Sequence, residues 1–157
     1  MKLIPATRLI PATLRAAAAA LTLALLGAPA LAQNVVPSPE LQETIIKSAL
    51  LTFNDANVTG NYAVMHAKLS KRSRDQITPA KLAEVFKAWR DRHIFIYLIA
   101  AKAPIASEPP KFDNDGQLRL KGYFDANGKQ VVYDLGFFLE DGAWKVATIN
   151  PSVRDSK

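Results

Sequence analysis

The chain has 157 residues, 49% of them hydrophobic and 22% charged, a balance that excludes a disordered polymer and suits one domain with its own core. It has no cysteine, which excludes a disulfide framework, a thiolate nucleophile and a thiolate metal site. The formal net charge is +6, but part of that charge belongs to the segment that opens the chain.

Residues 1–15 are basic and contain no acid, and residues 16–26 form an apolar run. Gly27 and Pro29 break the run, and Ala30-Leu31-Ala32 places small residues where a signal peptidase needs them. This order is that of a secretory signal, with cleavage expected between Ala32 and Gln33. The apolar run is 11 residues long, short of the roughly 20 that span a bilayer. The reading is therefore a secreted protein, destined for the bacterial periplasm, with no stable membrane anchor. Residues 1–32 hold three of the 20 basic residues (Lys2, Arg8, Arg15) and none of the 14 acids, which leaves +3 on the remainder. That small excess does not support a nucleic-acid partner. A near-repeat of Leu3-Ile4-Pro5-Ala6-Thr7-Arg8 at Leu9-Ile10-Pro11-Ala12-Thr13-Leu14 reads as a small duplication in the leader or a sign that the true start lies downstream, not as a fold repeat.

Residues 33–38 read as a flexible lead-in, 39–150 as the domain and 151–157 as a tail. Ser38-Pro39-Glu40 opens the first helix with a capping hydroxyl, a proline at the first position and an acid at the positive end. Leu41, Ile45, Ala49, Phe53 and Ala56 make its apolar stripe, widened by Ile46 and Leu50. Gly60 closes it in a left-handed conformation. Asn61 caps a short second helix whose inner face is Tyr62, Met65, His66 and Leu69. The polar stretch 70–75 follows. Thr78-Pro79 then starts a third helix with Leu82, Val85, Phe86 and Trp89 on one face.

After Arg92 the period changes. Residues 94–99, Ile-Phe-Ile-Tyr-Leu-Ile, are apolar on both sides and predict a buried strand. Pro104, Pro109 and Pro110 bound what comes next. Turns at 114–116, 125–128 and 140–142 separate strands at 117–124, 129–139 and 143–149. Three helices followed by four or five antiparallel strands predict an α+β domain with the helices on one face of the sheet. On the long strand, Val131, Tyr133, Leu135, Phe137 and Leu139 should face the helices, and on the last, Trp144, Val146 and Thr148 share a face.

The order of elements resembles the cystatin-like α+β cone of the nuclear transport factor two superfamily. So do residues 53–62, with Gly60-Asn61-Tyr62, and the final Asp141-Gly142-Ala143-Trp144-Lys145-Val146. The likeness spans about residues 39–150 and is greatest to small secreted bacterial members. It implies a curved sheet closed by helices into a cone, with a pocket inside and sometimes a second copy against the outer face. Tyr62, Trp89, Tyr97 and Tyr133 are then the candidate pocket walls. Val132, Asp134 and Phe138 are the candidate homodimer face, because Val131-Val132 and Phe137-Phe138 make the strand apolar on both sides.

No catalytic residues, metal site or cofactor are assigned. An isomerase-like site needs an acid held in the apolar pocket. The one mid-strand acid, Asp134, has outer parity, where Arg119, Lys121 or Lys145 would pair with it. His66 and His93 have no metal-ligand spacing, and His93 suits a helix end. Lys68, Lys71, Arg72 and Arg74, extended by Lys81, Lys87, Arg90 and Arg92, form a basic cluster suited to an anionic envelope partner. The functional reading is a non-catalytic binding module for a small apolar ligand or a protein partner. The alternative is a small isomerase- or hydrolase-like enzyme using the cone pocket.

Overall fold

The computed structural model describes residues 35–156. The signal segment and its Ala32/Gln33 junction lie outside the described residues. Among those described, no helix is long and apolar enough to cross a membrane.

The fold is α+β, with an N-terminal helical region packed against a five-strand antiparallel sheet. Helix α1 spans Pro39–Thr59; the Ser38 hydroxyl accepts from the Leu41 N–H, and Gly60 closes the helix at φ 71°. Its buried stripe is Ile46, Ala49, Leu50, Phe53 and Ala56. The stripe is turned slightly from the expected one, so that Leu41 is exposed. Short helices α2 (Ala63–Ala67) and α3 (Lys71–Gln76) follow. The polar stretch at 70–75 is mostly helical, and the Ser70 side chain caps α3 by accepting from the Ser73 N–H.

The expected third helix is two helices, α4 (Pro79–Val85) and α5 (Lys87–Asp91). The break falls at Phe86 (φ −96°, ψ 14°). Phe86 and Trp89 both meet the Phe53 ring edge-on, at 4.8 and 4.9 Å. Val85, expected on the same face, is left 55% exposed.

The expected strand at 94–99 is not a strand. His93 turns the chain at φ 51°, and a 3₁₀ helix covers Tyr97–Ala101. The buried Asn54 side chain accepts from the Ile96 N–H at 2.8 Å, so α1 supplies the partner that a sheet neighbour would have given. Ile96 and Ile99 are buried. Their spacing of three is that of a 3₁₀ turn, which turns the intervening residues outward.

The strands are β1 (Ile105–Ala106), β2 (Lys111–Phe112), β3 (Leu118–Ala126), β4 (Lys129–Glu140) and β5 (Ala143–Asp155). β1 and β2 both pair with β3, and the order then runs β3-β4-β5. The hairpin turns Asn127-Gly128 and Asp141-Gly142 have positive φ at both positions, the geometry that matches strand twist. β5 runs past its expected end at Ile149, through the supposed tail, because residues 151–155 pair with β4 from Tyr133 back to Lys129.

The core lies between α1 and the inner sheet face, where Leu118, Leu120, Phe124, Val131, Tyr133, Leu135 and Phe137 are buried. Two face assignments change. Leu139 is exposed near the end of β4. The register also shifts between Gly136 and Phe137, so that Phe137 faces Val146 and Gly136 faces Thr148, with Ala147 as the extra residue. This bulge reverses the parity of β5 and turns Thr148 to the outer face with Gly136. The sheet is not strongly curled and no cone is shown. Strong curvature needs repeated bulges and glycine kinks, whereas the long-strand pairings carry this one register shift.

Candidate functional site

An apolar groove of about 500 Å³ opens where the turn after α5 passes the far end of the β3–β4 hairpin. Ile94, Phe95 and Leu98 form one wall, and Ala126, Val131 and Val153 the other. The first wall exists because the 3₁₀ turn buries Ile96 and Ile99 and leaves Phe95 43% and Leu98 41% exposed. The second exists because β5 continues far enough to place Val153 opposite Val131. The groove's polar residues are His93, Asn127 and Lys129. Lys129 Nζ is held 2.6 Å from Asp155 Oδ1, which holds that carboxyl below its ordinary range. A groove of this size falls within the range that encloses a small ligand, roughly 300–1,000 Å³.

The four expected wall residues do not converge on one cavity. Tyr62 fills the core; its hydroxyl donates to Asn57 Oδ1 at 2.6 Å and accepts from Arg90 Nη1 at 2.9 Å. Trp89 packs on Phe53. Tyr97 is 60% exposed, since it occupies the outward position of the 3₁₀ helix. Tyr133 is buried on the inner face of β4 and lines a separate cleft of about 220 Å³. The groove residues Phe95, Leu98, Val131 and Val153 were missed as a set. Their one local signal was the run at 94–99, apolar on both sides, which is also what a buried strand would show.

Asp134 lies on the outer sheet face, paired with Arg119 and, at 3.7 Å, with Lys121. Lys121 also meets Glu108 at 3.0 Å, and Arg119 meets Asp113 at 3.8 Å. Hydrogen bonds from Lys111 and Lys121 hold the Glu108 carboxyl below its ordinary range, and Glu108 raises the Lys121 ammonium in turn. Val132 and Phe138 are half-buried on this face. None of the described acids is buried, so the apolar core holds no carboxylate poised as a general base. Among the described residues no group of three or more His, Asp or Glu gathers to hold a metal ion.

The basic cluster is largely engaged. Lys68 donates to Thr52 Oγ1 at 2.7 Å, and Arg74 donates to the Leu69 carbonyl at 2.6 Å. Lys71, Lys81 and Lys87 each pair with a carboxylate on their own helix. Such exposed pairs are worth little individually, but they leave a muted field. His66 Nε2 lies 2.8 Å from the Ile77 carbonyl and ties α2 to the end of α3. Compared with known proteins, the chain matches no family model, no curated protein and no solved structure.

Proposed function

We propose that the chain is an exported, non-catalytic binding module that holds one small apolar ligand in the groove between residues 94–98 and the β3–β4 hairpin. The observation that carries this reading is the groove itself. Two sets of apolar side chains face one volume of about 500 Å³, with His93, Asn127 and Lys129 as the polar residues among the described lining. Large exposed apolar patches mark binding sites, and the groove residues Phe95 and Leu98 are both exposed. An amphiphilic ligand suits it, its apolar part in the groove and its polar end near Lys129. The placement of all described acids outside the core supports binding over isomerase or hydrolase chemistry. The element order and the Asp141-Gly142-Ala143-Trp144 hairpin support membership of the nuclear transport factor two-like class. The pattern of residues 1–32 supports export.

The test is titration of the exported protein with a naphthalene dye whose fluorescence reports apolar sites, followed by displacement with a medium-chain fatty acid. Leu98→Lys should weaken dye and fatty acid about tenfold or more, since burying an ammonium costs more than the 1.4 kcal/mol that tenfold represents. Saturable binding that Leu98→Lys leaves unchanged would refute the site. Recovery of a mature chain that begins at Gln33 would support export, and an uncleaved chain in the cytoplasm would refute it.

A further inference from the structure

The cleft at Tyr133 shares no lining residue with the groove. It lies between the start of α1, the segment from Pro104 to Pro110 and the inner strands. Three prolines, Pro39, Pro104 and Pro110, give it stiff apolar walls. Tyr133 is only 2% exposed, and its hydroxyl makes no hydrogen bond to any of the described residues. It reaches this position because the residue opposite it on β3 is Gly122. A Cβ at Gly122 would stand 2.6 Å from the hydroxyl. A buried hydroxyl is normally hydrogen-bonded. The Tyr133 hydroxyl, without a partner among the described residues, stands at the wall of the cleft and is open to water or a ligand.

A second lining residue completes the pattern. Gln42 donates one of its two amide N–H groups to the Pro37 carbonyl at 2.8 Å, and its Oε1 has no donor among the described residues. The cleft therefore offers one hydroxyl donor and one amide acceptor between proline walls. We propose that it is a second ligand site, for a small neutral molecule that carries both a carbonyl and an N–H, such as a primary amide. The carbonyl accepts from the Tyr133 hydroxyl, and the N–H donates to Gln42 Oε1. The volume of about 220 Å³ lies below the roughly 300 Å³ where drug-sized pockets begin, so the ligand is a single ring or smaller. Burial pushes the Tyr133 hydroxyl up to about 12, which keeps it a protonated donor at neutral pH. The two carboxylates in the lining are already engaged, Glu43 by Lys47 and Glu108 by Lys111 and Lys121. A neutral ligand is thus preferred to a cation.

The probe is benzamide, with toluene as a control of similar shape and no polar group, followed by ligand-detected NMR on the mature chain. Saturable benzamide binding is expected in the millimolar range, with toluene markedly weaker. Tyr133→Phe keeps the ring and should weaken benzamide about fivefold to tenfold, the loss of one hydrogen bond. Gln42→Leu, on the helix surface, should do the same and guards against a folding defect in the first variant. Leu98→Lys in the groove should leave benzamide unaffected, which separates this site from the proposed function. Equal binding of toluene and benzamide, or benzamide binding lost in Leu98→Lys and kept in Tyr133→Phe, would overturn the proposal. So would a failure of wild type to bind benzamide at all.

Discussion

Replacing Gly122 by alanine should be the most damaging single methyl addition in the sheet. A Cβ there would stand 2.2 Å from the Ile105 carbonyl oxygen and 2.6 Å from the Tyr133 hydroxyl, against 3.4 Å or more for ordinary contact. The Ile105 oxygen belongs to the backbone of β1, which pairs with β3 at Ile105↔Tyr123 and Ala106↔Gly122. No side-chain rotation can clear it, so β1 must separate from β3 or the sheet must shift. Overpacking costs typically 1–3 kcal/mol, and a backbone obstruction places this case near 3. At roughly 4 °C per kcal/mol for a domain of this size, the Tm should fall by about 12 °C. Gly136 supplies the control. A Cβ there would meet Gln117 Oε1 at 2.4 Å and Thr148 Cβ at 3.0 Å. The glutamine tip can swing away at the expense of its hydrogen bond from Thr148, so Gly136→Ala should cost about 1 kcal/mol and about 4 °C. Thermal unfolding followed by circular dichroism reads both. Equal losses in the two variants, or an unchanged Tm in Gly122→Ala, would refute the steric reasoning.

Asn54→Ala leaves the buried Ile96 N–H without the acceptor it has at 2.8 Å. It should cost about 1–3 kcal/mol in urea unfolding and weaken dye binding, because Asn54 pins the turn that walls the groove; an unchanged midpoint and affinity would refute that role. Tyr133 ionises near 12 in the fold against 10.0 when free. Its raised value adds stability that is complete below pH 10 and is lost as pH climbs toward 12. Tyr133→Phe should therefore lose less stability than wild type across that window in denaturant titrations, and parallel losses would show that the hydroxyl is not sequestered. If the outer sheet face joins two copies, Phe138→Asp should yield monomers by light scattering, and an unchanged mass would exclude that interface.

The elements legible in the sequence are those decided by neighbours along the chain. Ser38-Pro39 and Thr78-Pro79 start helices and Gly60 ends one, because caps satisfy backbone groups only a few residues away. Asn127-Gly128 and Asp141-Gly142 set two hairpins and with them the pairing of β3, β4 and β5. Alternation along β4 placed Val131, Tyr133, Leu135 and Phe137 inward and Asp134 outward, where it meets Arg119 and Lys121 as its parity implied.

What only the tertiary structure decided depends on partners far apart in sequence. Residues 94–99 carry strand-forming side chains, yet a hydrogen bond from Ile96 to Asn54, 42 residues earlier, draws them into a 3₁₀ turn and so creates the groove wall. A helix with a continuous apolar stripe breaks at Phe86, where Phe86 and Trp89 both pack on Phe53, more than thirty residues earlier. The bulge at Ala147 turns Thr148 outward, and no local pattern records it, since a one-residue slip leaves composition unchanged while exchanging the faces. Capping and turn chemistry act over a few residues and can be read along the chain. The groove and the cleft form where distant segments meet, and their shape is set by which side chains those segments leave without a partner.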